Sequence, residues 1–256
     1  MLLAIDAGNT NTVFAVHDGT KWVAQWRTST STERTADEYA VWLGNLMAFV
    51  GLNLSDMTAC VVSCVVPQSL FHFRNFSKRH LQVDPVVVGD PDTIVDLEVR
   101  LDNPKEAGAD RLVNAVGART YHDGALLIID SGTATTFDII SSDGAFVGGV
   151  ICPGINLSLS ALYNAAARLP RIEIRKTSEY WGANTVSAMQ SGIYWGYISL
   201  MEGMINRIRS GYNEPLTTIA TGGVVSLFRG ATSSIEIYDP DLTINGLLAI
   251  YQANKI

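Results

Sequence analysis

The amino-acid sequence predicts an α/β protein built from two similar halves. The first observation is Leu2–Thr12, where an apolar strand pattern ends on Asp6 and turns through a glycine into a segment rich in Asn and Thr. The second is Leu126–Ile140, which repeats this order with Asp130 at the end of its apolar run. The third is that strand and helix patterns alternate after each hairpin. One acidic bend is usually an Asp that caps its turn, but two in matching places favour a shared chemical role.

Composition indicates a compact protein that acts on small metabolites. The 256 residues are 47% hydrophobic and 17% charged, which is enough for one large domain or two small ones. The net charge of -7 argues against a surface for nucleic acid, which depends on clustered Lys and Arg. No apolar run reaches the roughly 20 residues of a membrane helix, and a strand pattern begins where a basic leader would lie. We therefore expect a cytoplasmic protein that binds neither a membrane nor nucleic acid.

The strands predicted for the first half form a three-stranded meander and two further strands that alternate with helices. They are Leu2–Ile5, Thr12–His17, Trp22–Arg27, Ala59–Val66 and Pro85–Val88. Thr35 and Glu38 have the spacing of a capping box that opens a helix to about Val50, whose aromatic side chains are expected in the core. Pro67 suits the first turn of a second helix, which extends to about His80.

A third helix of the first half is predicted to begin at Gly108–Arg111 and to end near Tyr121. Asp110 and Arg111 therefore fall in its first turn. The preceding segment, Asp90–Lys105, is irregular and carries four aspartates. Such a surface connection is usually a solvated loop, although it could also line a site.

The second half repeats the plan of the first. Its predicted elements are the strands Ala125–Ile129, Thr135–Ile140, Ala145–Cys152 and Pro215–Ala220 and the helices Ile155–Leu169, Asn184–Arg209 and Ile244–Ala253. Gly192, Gly196 and Gly203 interrupt the long helix, which indicates close helix packing or a dimer contact. Because no linker or low-complexity tract is present, we place two closely packed domains at residues 1–121 and 122–256.

The three cysteines are expected to be free thiols. They are Cys60, Cys64 and Cys152, an odd number that cannot pair completely within the chain. The first two are too far apart for a C-x-x-C metal or redox motif, and they share one face of a strand pattern. Buried thiols therefore explain them best.

The two acidic bends have the residues that metal-bound triphosphate requires. Each bend offers a carboxylate, Thr or Asn oxygens and backbone that a glycine leaves open to close approach. Facing each other across a cleft, the bends would bring Asp6 and Asp130 together. Neither the P-loop pattern nor the protein-kinase catalytic set occurs in the sequence, so this nucleotide site is of another kind. Adenosine could lie against the predicted turn Thr221–Gly223.

Several blocks of the sequence resemble the type III pantothenate kinases and occur in that family's order. They are Asp6–Thr12, Gly108–Arg111, Asp130–Thr136, Gly148-Gly149 with Pro153-Gly154-Ile155, and Ala220–Gly223. That family belongs to the superfamily of acetate kinase, the sugar kinases, Hsp70 and actin. The resemblance therefore implies two duplicated ribonuclease H-like halves, the actin-like ATPase fold, with the active site in the cleft between them.

The resemblance also implies the reaction and its requirements. The expected reaction is the ATP-dependent phosphorylation of pantothenate on its hydroxyl to 4′-phosphopantothenate, the first step toward coenzyme A. The expected enzyme is a homodimer that uses ATP as co-substrate and needs Mg²⁺ and a monovalent cation, K⁺ or NH₄⁺. Two other readings stay open: a sugar or small-alcohol kinase of the same superfamily, and a catalytically inactive nucleotide-binding regulator.

Site residues follow from the same resemblance by matched position. The ATP-binding residues are Asp6, Ala7, Gly8, Asn9, Thr10, Asn11, Thr12, Val13 and Thr133. The pantothenate-binding residues are Gly108, Ala109, Asp110, Arg111 and Thr185, the last reaching the site from the partner subunit. Asp110 is the expected catalytic base and Asp130 the expected ligand of the monovalent cation. Asp6 is expected to hold Mg²⁺ directly or through water, with turn capping as the alternative.

Elementary physics is compatible with these roles. A helix N-terminus favours the ionised form of Asp110, which can then accept a hydrogen bond from the substrate alcohol and aim it. Arg111 can bind the carboxylate or hydroxyls of the substrate, unless it forms a structural salt bridge. Leu101 departs from the family pattern, which usually has Tyr there. The loss of one hydrogen bond would cost about 0.5–1.5 kcal/mol of substrate binding and leave the reaction possible.

Overall fold

The computed structural model describes residues 1–166 and 169–255 as an α/β protein. Its strands are β1 (Leu2–Ala7), β2 (Asn11–His17), β3 (Trp22–Ser29), β4 (Ala59–Cys64), β5 (Val86–Val87), β6 (Ala125–Ser131), β7 (Ala134–Ile140), β8 (Phe146–Pro153), β9 (Leu216–Thr221) and β10 (Ile237–Tyr238). Its helices are α1 (Ala36–Ala48), α2 (Pro67–Phe76), α3 (Ala109–Tyr121), α4 (Ile155–Ala165), α5 (Thr185–Gly211) and α6 (Leu242–Ala253).

The chain forms two compact units with one sheet each. The first unit contains residues 1–97 and 102–121 together with the C-terminal segment that starts at Leu242. The second contains residues 98–101 and 122–241. The strand order is β3-β2-β1-β4-β5 in the first sheet and β10-β9-β6-β7-β8 in the second.

Corresponding strands of the two sheets have the same directions. In the first sheet β1 pairs antiparallel with β2 and parallel with β4, and β2 pairs antiparallel with β3. In the second sheet β6 pairs antiparallel with β7 and parallel with β9, and β7 pairs antiparallel with β8. The duplication predicted from the two acidic bends is therefore confirmed, because β1 and β6 occupy the same central position.

Each face of the first sheet is covered by a different pair of helices. Leu3 and Ile5 of β1 pack into a core with residues of α1 and α2. Leu2 and Ala4 point to the other face and pack into a core that contains residues of α3 and α6. Because side chains alternate along a strand, Asp6 points to the same side as Leu2 and Ala4. The carboxylate at the end of β1 is thus on the face that carries α3.

The N-terminal boundary of α1 agrees with its predicted chemistry. The Thr35 hydroxyl accepts a hydrogen bond from the Glu38 amide, and the Glu38 carboxylate accepts one from the Thr35 amide. These bonds satisfy backbone donors that the first helical turn leaves without partners, and they lower the pKa of Glu38. The predicted helix beginning at Pro67 ends earlier than expected, because residues Ser77–Leu81 form a π-helical turn.

The C-terminal helix lies in the first unit, which differs from the expected division at residues 1–121 and 122–256. The physical reason is contact between the backbones of α3 and α6 at two glycines. A Cβ atom at Gly117 would lie 2.4 Å from the Leu242 carbonyl oxygen, and one at Gly246 would lie 2.0 Å from that of Val113. Only glycines allow this approach, which connects the end of the chain to the helix that begins at the Gly108 block.

The core of the second unit lies on the face of the sheet that α4 and α5 cover. Leu127 and Ile129 of β6 and Phe137 of β7 pack there against Tyr194 and Ile198 of α5. The alternation of side chains places Ser131 and Thr135 on this same face and Asp130, Thr136 and Asp138 on the opposite one. The two sides of the second hairpin thus have different chemistry.

Several details differ from the sequence-based expectation. The strand β10 was not predicted, because two residues are too few for a periodic pattern. The helix expected over Ile155–Leu169 is seen over Ile155–Ala165; residues 167 and 168 lie outside the described part of the chain. Gly192 and Gly196 meet no atom within 4 Å, so close packing within the described chain does not explain them. All three cysteines are free, and burial raises the pKa of Cys60 to about 12.

A short strap, Glu98–Leu101, adds to the edge of the second sheet. The Phe146 amide donates to the Glu98 carbonyl over 2.8 Å, and the Arg100 amide donates to the Phe146 carbonyl over 2.8 Å. The Arg100 guanidinium also binds the carboxylates of Glu98 and Asp143. The segment predicted as an acidic surface connection is therefore partly ordered by a charged network.

Candidate functional site

The first hairpin turn, between β1 and β2, is held in shape by a residue that sequence analysis did not single out. Thr30 donates from its hydroxyl to the Gly8 carbonyl over 2.6 Å and from its amide to the Thr10 carbonyl over 2.9 Å. Its hydroxyl also lies 2.9 Å from that of the buried Thr12. Asn9, Thr10 and Asn11 remain exposed at the turn. A ligand can therefore reach the tip of the predicted phosphate loop, while its base is fixed.

Asp6 has a second polar neighbour that sequence analysis missed. Ser63 of β4 is its register partner, and the side chains of such partners on parallel strands point to the same face. The Ser63 side chain is fully buried, and its Oγ has no hydrogen-bond partner among the described residues. Burial chiefly, together with the negative charge of Asp6, also raises the pKa of the Cys64 thiol. The end of β1 thus has spare hydrogen-bonding capacity beside a carboxylate.

The block Gly108–Arg111 forms the beginning of α3, as predicted. The Gly108 carbonyl accepts from the Leu112 amide over 3.1 Å, and the Asp110 Oδ1 accepts from the Arg111 amide over 2.8 Å. A Cβ atom at position 108 would lie 2.6 Å from Asp110 Oδ1. Glycine therefore leaves the space that the Asp110 carboxylate occupies. Asp110 and Arg111 are both half-buried, so they remain reachable from solvent.

The second hairpin turn, between β6 and β7, is packed tightly against the start of α4. The Gly132 amide donates to the Ala134 carbonyl, and the Gly154 amide donates to the Thr133 carbonyl, each over 2.9 Å. A Cβ atom at Gly154 would lie 2.3 Å from the Gly132 carbonyl oxygen. The Thr133 side chain is exposed at the tip of the turn, whereas Thr135 is fully buried. Of these two hydroxyls, only that of Thr133 is available to a ligand.

The structure brings Asp130 together with the turn that sequence analysis assigned to adenosine. Asp130 is the register partner of Thr221, the last residue of β9. Gly222 follows with φ +101°, a backbone conformation that favours glycine. A Cβ atom there would lie 2.5 Å from Asp130 Oδ1 and 2.4 Å from the Ser131 carbonyl oxygen. The residue predicted to bind the cation and the turn predicted to bind adenosine are therefore neighbours in the structure.

Two further features of the second hairpin were not predicted. Asp138 of β7 is fully buried and accepts a hydrogen bond from the Thr136 hydroxyl over 3.2 Å. On the other face, the buried hydroxyls of Ser131 and Thr135 meet that of Tyr197 from α5. The buried Asp138 could have been suspected from the sequence, because it is the single acidic residue of an otherwise uncharged strand. The contact between the Thr135 and Tyr197 hydroxyls joins residues 62 positions apart in the chain, which no local pattern reveals.

Thr185 is the first residue of α5 and lies beside a cavity of about 730 Å³. The Asn184 side chain caps the helix by accepting from the Ser187 amide over 3.0 Å. The described residues that line the cavity are Leu162, Leu169, Gly182, Ala183, Asn184, Thr185, Ala188, Met189, Gly192 and Ile193. Neither Asp130 nor Thr133 is among these residues.

A sequence comparison identifies the family of the chain. The model of one family, described as type III pantothenate kinase, matches residues 2–207. A type III pantothenate kinase of Maricaulis maris (strain MCS10) is 61% identical over 254 residues, which are 99% of this chain and 98% of that protein. A type III pantothenate kinase of Caulobacter vibrioides is 58% identical over 258 residues, 100% of this chain and 98% of that one.

Solved structures show the fold alone. The chain is similar to MreB 5 of Spiroplasma citri bound to AMPPNP, with a TM-score of 0.51 and 11% identity over 99% of this chain and 96% of that one. It is also similar to the activator of the 2-hydroxyisocaproyl-CoA dehydratase from Clostridium difficile with bound ADPNP, with a TM-score of 0.54, 14% identity and coverage of 99% and 95%. The predicted actin-like fold is confirmed, and the chain belongs to the type III pantothenate kinase family.

Proposed function

We propose that this protein transfers the γ-phosphoryl group of ATP to the hydroxyl of pantothenate and forms 4′-phosphopantothenate, the first step toward coenzyme A. The observation that carries the proposal is the carboxylate of Asp110, held at the start of α3 in space that Gly108 leaves open. Full-length relatives named type III pantothenate kinase, at 46–61% identity, support the same reaction. ATP is the co-substrate of this kinase family.

Asp110 acts as the base and Arg111 binds the substrate. The Asp110 carboxylate accepts a hydrogen bond from the pantothenate hydroxyl and aims its oxygen at the γ-phosphorus. As the new O–P bond forms and the bond to the β-phosphate oxygen breaks, the hydroxyl proton moves to Asp110 and ADP leaves. In a loose transition state this aiming accounts for much of the rate, because the nucleophile bonds late. The Arg111 guanidinium binds the pantothenate carboxylate.

The two hairpin turns bind the nucleotide. In the first unit, Asp6–Val13 offers backbone amides and exposed Asn and Thr side chains to the phosphates, on a base that Thr30 fixes. In the second unit, the exposed hydroxyl of Thr133 makes a further phosphate contact. Adenosine lies against the turn Thr221–Gly223, which begins at the register partner of Asp130. The exposure of the turns at their tips supports these roles.

The residues at both bends fit the cations that we propose. Near Asp6 the donors are a carboxylate, the unpartnered Ser63 Oγ and the Thr and Asn oxygens of the turn, which suit Mg²⁺. Among the described residues no group of three or more His, Cys, Asp or Glu side chains could hold a metal ion, so Mg²⁺ is expected to arrive with the ATP phosphates. When bound, it neutralises charge on the transferred group. The Asp130 carboxylate and the Ser131 carbonyl oxygen lie close together beside Gly222, and oxygen donors of this kind suit K⁺ or NH₄⁺.

We also propose that the enzyme is a homodimer in which Thr185 serves the partner's pantothenate site. Large apolar side chains are exposed on segments near Thr185, with Tyr180 and Trp181 each 70% exposed. The open surface at Gly192 and Gly196 of α5 gives a second copy room to pack closely. The cavity beside Thr185 has neither Asp130 nor Thr133 in its lining, which fits a contribution in trans.

Two remaining proposals concern surroundings and partners. The net charge of -7 supports a protein that acts without nucleic acid. The use of ATP and the free cysteines support action in the cytoplasm, where thiols stay reduced. No helix in the described part of the chain is long and apolar enough to cross a membrane.

The test is the release of ADP by the purified protein with Mg-ATP and pantothenate, in K⁺ and again in Na⁺. We expect turnover that requires pantothenate and that is much faster in K⁺. A sugar such as glucose in place of pantothenate is the control for another acceptor. Turnover that does not depend on pantothenate, or none in any salt, contradicts the proposed function.

A further inference from the structure

Three buried hydroxyl groups form a row beneath the second hairpin turn, and the proposed reaction does not yet use them. Ser131 Oγ lies 3.2 Å from Thr135 Oγ1, and Thr135 Oγ1 lies within hydrogen-bond reach of the Tyr197 hydroxyl. The Tyr197 hydroxyl donates in turn to the Pro153 carbonyl over 3.3 Å. Ser131 and Thr135 are fully buried and Tyr197 is 5% exposed, so water does not substitute for these bonds.

The row has one direction because each hydroxyl has a single proton. A carbonyl only accepts, so the proton of Tyr197 points to Pro153 and Thr135 must donate to Tyr197. Ser131 then donates to Thr135. Burial raises the pKa of Tyr197, which keeps its proton in place. Tyr197 is the only member that belongs to neither strand of the hairpin, and it closes the row.

Tyr197 thereby joins three segments that shape the turn. Through Thr135 and Ser131 it holds the start of β7 and the end of β6, and through Pro153 it holds the residue before Gly154. Gly154 donates to the Thr133 carbonyl, so the tip of the turn is bound to the same anchor. Asp130 adjoins Ser131 in the chain and points to the opposite face.

We infer that Tyr197 is a positioning residue, which sets from behind the hairpin the places of Thr133 and Asp130. The inference rests on the proposed function insofar as Thr133 contacts nucleotide phosphate and Asp130 contacts the monovalent cation. Tyr197 touches neither ligand. Its hydroxyl keeps the turn in the conformation that binds them, and its aromatic ring packs in the core against Phe228 with 5.5 Å between ring centroids.

The test is Tyr197→Phe, which keeps the ring and removes the hydroxyl. Because two hydrogen bonds are lost, we expect the KM for ATP to rise about 3- to 10-fold, with a parallel rise in the K⁺ concentration that gives half activation. The KM for pantothenate stays within about 2-fold of wild type, because the two lost hydrogen bonds involve none of the residues proposed to bind pantothenate. If Tyr197 had a purely structural role, Tyr197→Phe would lower stability without raising the KM for ATP more than the KM for pantothenate.

The matched control is Tyr194→Phe on the same helix. Tyr194 is 2% exposed and its hydroxyl donates to the Leu227 carbonyl over 3.0 Å, so Tyr194→Phe loses a comparable buried bond that involves none of Ser131, Thr135 and Pro153. We expect its KM for ATP and its K⁺ response to stay at wild-type values. Thr135→Val should reproduce the Tyr197→Phe effect, whereas Thr135→Ser, which keeps a hydroxyl, should restore most of it.

Two results would overturn the inference: an unchanged KM for ATP in Tyr197→Phe, or an equal shift in Tyr194→Phe. If Tyr197→Phe does not fold, Thr135→Val carries the same expectation, because it breaks the row from the other side. Binding of a non-hydrolysable ATP analogue without pantothenate, measured by calorimetry, separates the two proposals. Weaker binding by Tyr197→Phe supports the positioning role even if wild type fails to phosphorylate pantothenate.

Discussion

Single residues show how an absent side chain positions a reactive one. At Gly108 the missing Cβ leaves room for the Asp110 carboxylate, and at Gly222 it leaves room for that of Asp130. Both glycines occur in blocks that the sequence alone marks as family motifs, but their purpose is visible only in space. Asp110 is only two residues from Gly108 in the chain. Asp130, in contrast, lies on β6, whereas Gly222 follows β9.

Gly108→Ala is expected to lower turnover while leaving stability nearly unchanged. The added Cβ would lie 2.6 Å from Asp110 Oδ1, and the Asp110 side chain can rotate away from it without moving the backbone. We expect kcat to fall about 10- to 100-fold, because the rotated Asp110 carboxylate no longer orients the pantothenate hydroxyl toward the γ-phosphorus. Steady-state kinetics and thermal unfolding measure the two effects. A full loss of folded protein, or normal kcat, would contradict the proposed relation between Gly108 and Asp110.

Asp130→Asn is expected to weaken chiefly the response to K⁺. The amide keeps the size of the side chain beside Gly222 but removes the negative charge that favours a cation. We expect half activation to need about 10-fold more K⁺, because the charge interaction contributes on the order of 1.4 kcal/mol. Titration of activity with KCl at constant ionic strength measures this. If the K⁺ dependence is unchanged, the cation binds elsewhere.

At the scale of elements, packing rather than chemistry explains two of the glycines in helices. Gly117 of α3 and Gly246 of α6 let the two helices touch along their backbones. The sequence predicts both helices correctly, since each has a clear apolar period. It does not predict that they pack together, because their contact joins residues more than a hundred positions apart.

Gly246→Ala is therefore expected to destabilise the first unit. Its Cβ would lie 2.0 Å from the Val113 carbonyl oxygen, which belongs to rigid helical backbone. Overpacking of this kind costs about 1–3 kcal/mol in the free energy of unfolding. Gly211→Ala, at an exposed position with nothing within 4 Å, is the control and should be neutral or slightly stabilising. Urea unfolding measures both, and equal stabilities of the two variants would argue against the close contact.

The strap Glu98–Leu101 gives a prediction about acid. Its Arg100 lowers the pKa of Asp143 to about 2 from the ordinary 3.8, with a smaller contribution from the Ser141 hydroxyl. Because the folded pKa is the lower one, this contribution to stability is complete above 3.8 and is lost as the pH falls toward 2. Asp143→Asn should thus be less stable than wild type at about pH 5, with the difference shrinking toward about pH 2.

The measurement for the strap is urea unfolding of both proteins at several pH values in that window. High salt should reduce the difference at the upper end, since both carboxylate and guanidinium are exposed to screening. A constant difference at every pH would show that the asparagine acts through packing and that the ion pair contributes nothing.

At the scale of the whole molecule, the sequence predicts the duplication but not every contact between residues far apart in the chain. The two acidic bends reveal equivalent hairpins because their residues are contiguous. The row from Ser131 to Tyr197 and the neighbourhood of Asp130 and Gly222 depend on strands and helices far apart in the chain. Local sequence patterns do not reveal such contacts, so these interactions around the candidate site were found only in the structure.

The proposed contribution of Thr185 to the partner's site can be tested by mixing two inactive variants. Asp110→Asn lacks the base, and Thr185→Arg blocks the pantothenate contact of the other subunit. A heterodimer of the two then contains one site with both residues intact. We expect random mixing to restore about a quarter of wild-type turnover, since about half of the dimers are mixed and each has one intact site.

The control is each variant mixed with itself, which should stay inactive. Sedimentation before and after mixing establishes that both variants are dimeric and exchange subunits. If the mixture remains as inactive as its components, Thr185 acts within its own protomer or has no role in binding pantothenate.

The C-terminal helix α6 also determines the order in which the chain can fold during synthesis. The long continuous part of the second unit, residues 122–241, is synthesised before α6. The first unit lacks Leu247 and Ile250 until then, and the face of its sheet that carries Leu2 and Ala4 stays incompletely covered. The half that begins the chain therefore finishes last, and a nascent chain that stops before Leu242 leaves an open apolar surface for chaperones to protect.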